Sequence, residues 1–263
     1  MSDSWNAENY MQFLGARTRP ARDLLAAFPD SFQPKIVYDL GCGPGNSTIL
    51  LKNRWPKAKV IGLDSSLAML EGARNSYPDI HFIAGDIQHF SPLEKIDCLF
   101  ANASLQWLDE HEILIPKLLQ LMNSGGIFGI QMPNNFHSPS HQVSMRVLEN
   151  NADWKPILKK MRYGVLTEPL YQLPWYYDLL IKSGAKALQL WETEYFQEMS
   201  DYREIFDWIK GTGLRPVLSE MDSDQQDQFS KVYVERISME YPVQINNKIL
   251  LPFRRIFMIG KII

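Results

Sequence analysis

The densest chemistry in the sequence lies in Val37-Tyr38-Asp39-Leu40-Gly41-Cys42-Gly43-Pro44-Gly45-Asn46-Ser47. An apolar run ends on an acid, passes through alternate glycines and opens a helical stretch. Glycine lets backbone approach a ligand closely, and the free N–H groups of a helix's first turn point outward to receive it. The spacing is Gly-x-Gly-x-Gly, one residue shorter than the dinucleotide fingerprint, and no Gly-Lys-Ser/Thr follows, so a Walker-type phosphate loop does not fit. Asp39 stands two residues before the first glycine. A carboxylate there repels a diphosphate and attracts a ligand that carries an ammonium and a sulfonium, as S-adenosylmethionine does.

Two more acids follow apolar runs. Asp64, with Ser65 after it, ends the run Lys59–Leu63 and suits the hydroxyls of a ribose. Asp86 follows Ile80–Ala84 and suits the amino group of an adenine, with Ile87 beside it for the ring. A lone strand-end Asp is commonly a helix cap. Three such features at successive strand ends, in this order, indicate a nucleotide-type cofactor held beyond the carboxyl edge of an open α/β sheet.

The elements that must position these residues are legible in the pattern. Ile36–Leu40, Lys59–Leu63, Ile80–Ala84, Ile96–Ala101 and Gly126–Met132 are short, nearly continuous apolar runs, as in strands buried on both faces. Helical spacing separates them at Ser47–Trp55, Leu67–Tyr77 and His111–Met122. This alternation predicts a doubly wound α/β fold, mostly parallel. Beyond Pro133 the pattern changes. Helices are expected near Gln142–Asn150, Trp175–Lys182, Ser200–Ile209 and Asp224–Glu240. Strands are expected at Leu188–Phe196 and Leu250–Lys261, completing the sheet edge. The inserts at 134–170 and 200–245 are too long for plain loops. With residues 1–20 they are expected to form a helical cap over the cofactor and substrate cleft of a single domain.

The chain has 263 residues, 27 Lys and Arg against 30 Asp and Glu, and a formal charge of −3. That balance, without a basic cluster, disfavours nucleic acid. The two cysteines, Cys42 and Cys98, form neither a CxxC pair nor a disulfide framework. The amino-terminal segment lacks the apolar run of a signal peptide, and no stretch approaches the 18 or so apolar residues of a membrane helix. A cytoplasmic protein without membrane contact is expected. His137 and His141 are four apart, but no adjacent Glu completes a zinc motif and Pro139 between them argues against a regular helix. No metal is expected.

Asp39-Leu40-Gly41-Cys42-Gly43-Pro44-Gly45, Asp64-Ser65-Ser66 and the Asp86 strand end resemble the class I S-adenosylmethionine-dependent methyltransferases. The resemblance implies a seven-stranded sheet whose last strand is antiparallel, with Asn102 among the cofactor-binding residues, near the reacting group. Asn102 is not followed by Pro-Pro-Tyr/Phe, the pattern of related nucleobase-methylating enzymes. Finer motifs are similar to a bacterial branch of the class whose acceptor is a carboxylate of trans-aconitate. They are Trp5-Asn6 with Tyr10 and Phe13, Arg17-Thr18-Arg19-Pro20, Phe100 to Trp107, Gln131 to Asn135, Thr212 to Pro216 and Leu250 to Arg254.

This branch implies a small-molecule polycarboxylate acceptor and a monomethyl ester product; a monomer is expected. A carboxylate is ionised at pH 7, so no general base is needed. A trianion needs cationic clamps, for which Arg forks are better suited than Lys. The candidates are Arg17, Arg19, Arg215, Arg254 and Arg255, with Arg17 and Arg215 favoured. Arg254 and Arg255 point to opposite faces of one strand, so at most one faces the site. Trp5, Tyr10, Gln106 and Trp107 are expected around the transferring methyl. Another small or carrier-bound acid, or a phenol, is the alternative acceptor. A protein that binds the adenosyl cofactor without turnover is a third reading.

Overall fold

The computed structural model describes residues 14–160 and 170–263. Seven strands form one sheet in the order β3-β2-β1-β4-β5-β7-β6. They are β1 (Ile36–Leu40), β2 (Lys59–Asp64), β3 (His81–Ala84), β4 (Ile96–Asn102), β5 (Met122–Pro133), β6 (Ala185–Met199) and β7 (Ile249–Ile262). The first five pair in parallel. β7 runs antiparallel to both of its neighbours, β5 and β6. From β1 the chain steps outward to β2 and β3, then returns to the other side of β1 as β4. Strand order therefore reverses between β1 and β4, which opens a crevice at their carboxyl ends.

Helices cover both faces. α1 (Leu14–Ala26) and α2 (Asn46–Arg54) bury Leu24 and Leu51, with Phe28 just past α1, against Val37, Cys98, Phe100, Ile127 and Phe257. On the opposite face α4 (His111–Gln120) and α7 (Leu173–Lys182) pack against Leu99, Ala101, Phe128 and Ile130. α3 (Leu67–Ser76) follows β2 and seats Leu70 and Ala73 on Cys42 and Phe82.

The helices inserted after β5 and β6 have a core of their own. These are α5 (Pro139–Glu149), α6 (Lys155–Lys160), α8 (Tyr202–Lys210), α9 (Arg215–Leu218) and α10 (Ser223–Ile237). Val147, Trp208, Phe229 and Tyr233 pack there with Leu251 and Phe253 of β7. Local signals start these helices. The Asp201 side chain accepts from Glu204 N–H at 2.8 Å, and Asp222 with Gln225 forms a reciprocal capping box. Pro139 occupies the first turn of α5, where its missing N–H is harmless, so His141 is helical after all, contrary to the sequence expectation. The short helices α6 and α9 lack a repeating pattern and were not anticipated. Among the described residues no helix is long and apolar enough to cross a membrane, and no three potential metal ligands cluster.

Candidate functional site

Gly41, Gly43 and Gly45 all adopt positive φ, at 73°, 53° and 89°. This left-handed path turns the chain from β1 into α2 and binds it to β2. The N–H groups of Gly41 and Cys42 donate to Leu63 O at 2.7 and 3.0 Å. Gly43 N–H donates to Asp64 Oδ2 at 2.8 Å, while Asp64 Oδ1 accepts from Ser66 N–H at 2.8 Å. A Cβ on Gly45 would lie 2.9 Å from the Tyr77 ring, whereas one on Gly43 would meet nothing within 4 Å. Gly43 is therefore the open point of the loop, where a ligand can lie directly on backbone.

Asp39 is completely buried. Its Oδ2 accepts from Ser47 Oγ at 2.7 Å and Thr48 Oγ1 at 2.6 Å, both in the first turn of α2. The sequence reading placed this carboxylate against the ligand; the structure commits half of it to anchoring the helix. Oδ1 is buried with no hydrogen-bond partner among the described residues. Burial pushes the Asp39 pKa up to about 6, the two hydroxyls oppose that shift, and the Asp64 charge adds to it. A bound ammonium at Oδ1 would satisfy the orphaned atom and favour the ionised form.

The tips of β4 and β5 extend this pattern. Asn102 and Gln131 are register partners. Asn102 Oδ1, Ser104 Oγ, Gln106 Oε1 and both amide atoms of Gln131 are buried without partners among the described residues. Buried polar groups are normally satisfied, so several orphans at one end of one sheet mark a place for a polar ligand. The backbone is held there. Ala103 takes a left-handed φ of 53°, its N–H donates to Gln131 O at 2.9 Å, and Gln106 Nε2 donates to Ala103 O at 2.8 Å. Left-handed non-glycine residues are strained and collect at functional sites. His111 bonds Leu105 O at 2.9 Å and the Tyr176 hydroxyl at 2.7 Å, fixing the turn that carries Gln106 and Trp107. Trp107 is 39% exposed.

The other expected site residues are more dispersed. Asp86 caps a short 3-10 turn, accepting from Gln88 N–H at 2.9 Å with its second oxygen 3.1 Å from His89 Nδ1. Ile87 is buried beside it and Ser65 is exposed. Arg215 begins α9 as an exposed residue. Arg254 is exposed and bonded to Glu194 at 2.9 Å, whereas Arg255 is 8% exposed on the other face of β7. Arg19 lies 5.0 Å from the Tyr195 ring centroid. Arg17 is in α1, but its side chain, like Trp5 and Tyr10, lies outside the described residues. Gln131 was not among the expected site residues. Its signal was present: an amide inside an apolar run destined to be buried on both faces.

The strand reversal, the glycine loop tied to the β2 acid and the antiparallel β7 define a methyltransferase domain. The methyltransferase domain family matches residues 37–126. Solved structures agree on the fold. The YcgJ protein of Bacillus subtilis superposes with a TM-score of 0.57 at 13% identity, covering 96% of this chain and 98% of its own. A Haemonchus contortus phosphoethanolamine N-methyltransferase, solved with S-adenosyl-L-methionine, gives 0.56 at 14% identity, covering 93% and 53%. Curated relatives resolve the branch. The chain is 41% identical to an Escherichia coli trans-aconitate 2-methyltransferase over 261 residues, 99% of each chain. It is 42% identical to the Azoarcus enzyme of that name over 257 residues, 98% of each. The protein belongs to the trans-aconitate 2-methyltransferase family.

Proposed function

We propose that this protein methylates a carboxylate of trans-aconitate with S-adenosylmethionine, giving the monomethyl ester. The observation that carries this reading is the set of buried, unpartnered polar atoms at the tips of β1, β4 and β5. They fit a ligand that is cationic beside Asp39 and an oxygen-rich acceptor beside Asn102 and Gln131.

Bound beside Gly43, S-adenosylmethionine supplies an electrophilic methyl whose transfer breaks a C–S bond, forms a C–O bond and leaves a neutral thioether. Asp39 Oδ1 is assigned to its ammonium, Asp64 to its ribose hydroxyls, and Asp86 with Ile87 to its adenine. The backbone of Gly41, Gly43 and Gly45 with Ser65 borders it. The acceptor carboxylate arrives ionised, so the protein's task is alignment and exclusion of water. Gln106 and Trp107 are assigned to this task from the β4 tip, with Trp5 and Tyr10 assigned to the same wall and Asn102 to the cofactor beside it. Arg17 and Arg215 are assigned to the carboxylates not being methylated. Residues 1–20, 134–170 and 200–245 are assigned to a cap over the cleft. We read the enzyme as a cytoplasmic monomer.

The test is transfer of label from S-adenosylmethionine to a panel of di- and tricarboxylic acids and phenols. The expected result is turnover of trans-aconitate to a base-labile ester, at a rate flat above about pH 6, where a carboxylate is fully ionised. Labelling of a phenol with a rate that climbs toward its pKa, or no labelling of any acid, would overturn the reading.

A further inference from the structure

Side chains on alternate positions of a strand share a face. On one face of this sheet Asp39, Asn102, Gln131 and Arg255 follow one another across β1, β4, β5 and β7. The registers fix the sequence: Asp39 opposite Phe100, Asn102 opposite Gln131, Gln131 opposite Phe257 and Pro133 opposite Arg255. Arg255 is thus the diagonal neighbour of Gln131 on that face, at a spacing of roughly 7 Å, which one carboxylate can bridge.

Two further observations bear on this pair. Gln131 is fully buried, and neither its amide oxygen nor its amide nitrogen has a partner among the described residues. Arg255 is 8% exposed and sits at a seam. Phe253, two residues before it, packs with the inserted helices, and Phe257, two residues after, packs under α1. The Arg255 guanidinium lies 4.7 Å from the Phe253 ring centroid, so the aromatic face holds it in place. Arg254 pairs with Glu192 and Glu194 on the opposite face of the sheet, while on its own face Arg255 stands near Tyr195, whose hydroxyl donates to Asp23 at 2.6 Å.

We propose that Gln131 and Arg255 form the subsite that grips one carboxylate of the acceptor. Arg255 supplies charge and a planar fork, and the Gln131 amide fixes the orientation of the bound group. The row then has a division of labour: the β1 end holds the cofactor, the β7 end anchors the acceptor, and Asn102 lies between them. This proposal rests on the function proposed above, whose clamps were Arg17 and Arg215; it adds a clamp inside the sheet.

The experiment compares wild type with Arg255→Gln, Arg255→Lys and Gln131→Leu. Turnover of trans-aconitate is measured alongside calorimetric titration of S-adenosylhomocysteine. The expected result is a KM for trans-aconitate raised ten-fold or more in Arg255→Gln and Gln131→Leu and less in Arg255→Lys, with S-adenosylhomocysteine affinity within two-fold of wild type in all three. Retained cofactor binding shows that the variants fold. A KM within two-fold of wild type in both Arg255→Gln and Gln131→Leu would overturn the subsite. If wild type methylates no acid, the proposed function fails, and the subsite is read by titrating trans-aconitate into the S-adenosylhomocysteine complex. Binding by wild type but not by Arg255→Gln supports it; equal binding, or none by wild type, overturns it.

Discussion

Gly41 and Ser104 are in such close contact that a Cβ on residue 41 would lie 2.3 Å from the Ser104 Cβ. The loop that leaves β1 thus rests on the loop that leaves β4, which joins the cofactor side of the crevice to the acceptor side. Gly41→Ala combines a left-handed backbone cost of about 1–2 kcal/mol with an overpacking cost of about 1–3 kcal/mol. Denaturant unfolding should show a loss of roughly 2–5 kcal/mol, and calorimetry a ten-fold or greater loss of S-adenosylhomocysteine affinity. Gly43→Ala meets open space and should lose only the left-handed backbone cost of about 1–2 kcal/mol, yet weaken cofactor binding as strongly, because its methyl enters the ligand's path. An unchanged melting temperature in Gly41→Ala would refute the close approach.

Cofactor affinity should depend on pH through Asp39. Its carboxyl, raised to about 6 by burial, is protonated below that pH in the free protein. A ligand ammonium at Oδ1 favours the ionised form, so binding below pH 6 must expel a proton. S-adenosylhomocysteine affinity should therefore be level above about pH 6 and fall by up to ten-fold per pH unit below it. In Asp39→Asn it should be weaker at pH 7 and flatter across this range. The reverse trend in wild type, tighter binding at pH 5, would remove Asp39 from the cofactor's charge.

Much of this fold was legible because burial on both faces writes a strand as an unbroken apolar run. β1, β2 and β4 match that signal to within a residue, and Asp64 falls at the β2 tip as expected. What was not legible depends on neighbours distant in sequence or on very short elements. β5 begins at Met122, through polar Asn123 and Ser124, because pairing with β4 and not hydrophobicity sets its start. Nothing local to Asp39 says that Ser47 and Thr48 will take one of its oxygens. The Gln131 and Arg255 pair exists only through the antiparallel register of β5 and β7, strands separated by more than a hundred residues.

Two buried groups should pull acid stability in opposite directions. His141 is buried in α5, with Nδ1 3.0 Å from Ser138 Oγ and 3.2 Å from Ser140 Oγ. Burial lowers its pKa to about 4. Between pH 6.5 and 4 the unfolded chain therefore binds more protons at this site, and His141 takes stability away as the pH falls. Asp39 has a folded pKa near 6, above its unfolded value of 3.8, so the folded chain binds more protons and stability is gained as the pH falls from 6 to 4. Each shift is worth about 3 kcal/mol, so the two contributions nearly offset. Asp39→Asn leaves the histidine unopposed, and urea unfolding of that variant should lose about 3 kcal/mol more than wild type between pH 6.5 and pH 4. Parallel pH profiles for the two proteins would contradict the opposition.

Arg254 and Arg215 separate a surface ion pair from a proposed clamp. The Arg254 guanidinium bonds Glu194 at 2.9 Å and lies 4.0 Å from Glu192, and Glu194 raises its pKa. The strand does not depend on this side chain. Asn135 holds the Arg254 backbone from both sides, donating to its carbonyl at 3.1 Å and accepting its N–H at 2.8 Å. Arg254→Ala should then cost under about 1 kcal/mol in stability, as exposed ion pairs do. Its kcat and KM for trans-aconitate should stay within two-fold of wild type. Arg215→Ala, at the start of α9 in the inserted helices, should raise that KM by ten-fold or more, a loss of about 1.4 kcal/mol in transition-state binding, with kcat little changed. The two arginines are both exposed, and they differ in the element that carries them, Arg254 in the sheet and Arg215 in the inserted helices. A ten-fold defect in Arg254→Ala with none in Arg215→Ala would exchange the roles and place the acceptor against the Glu192 and Glu194 face.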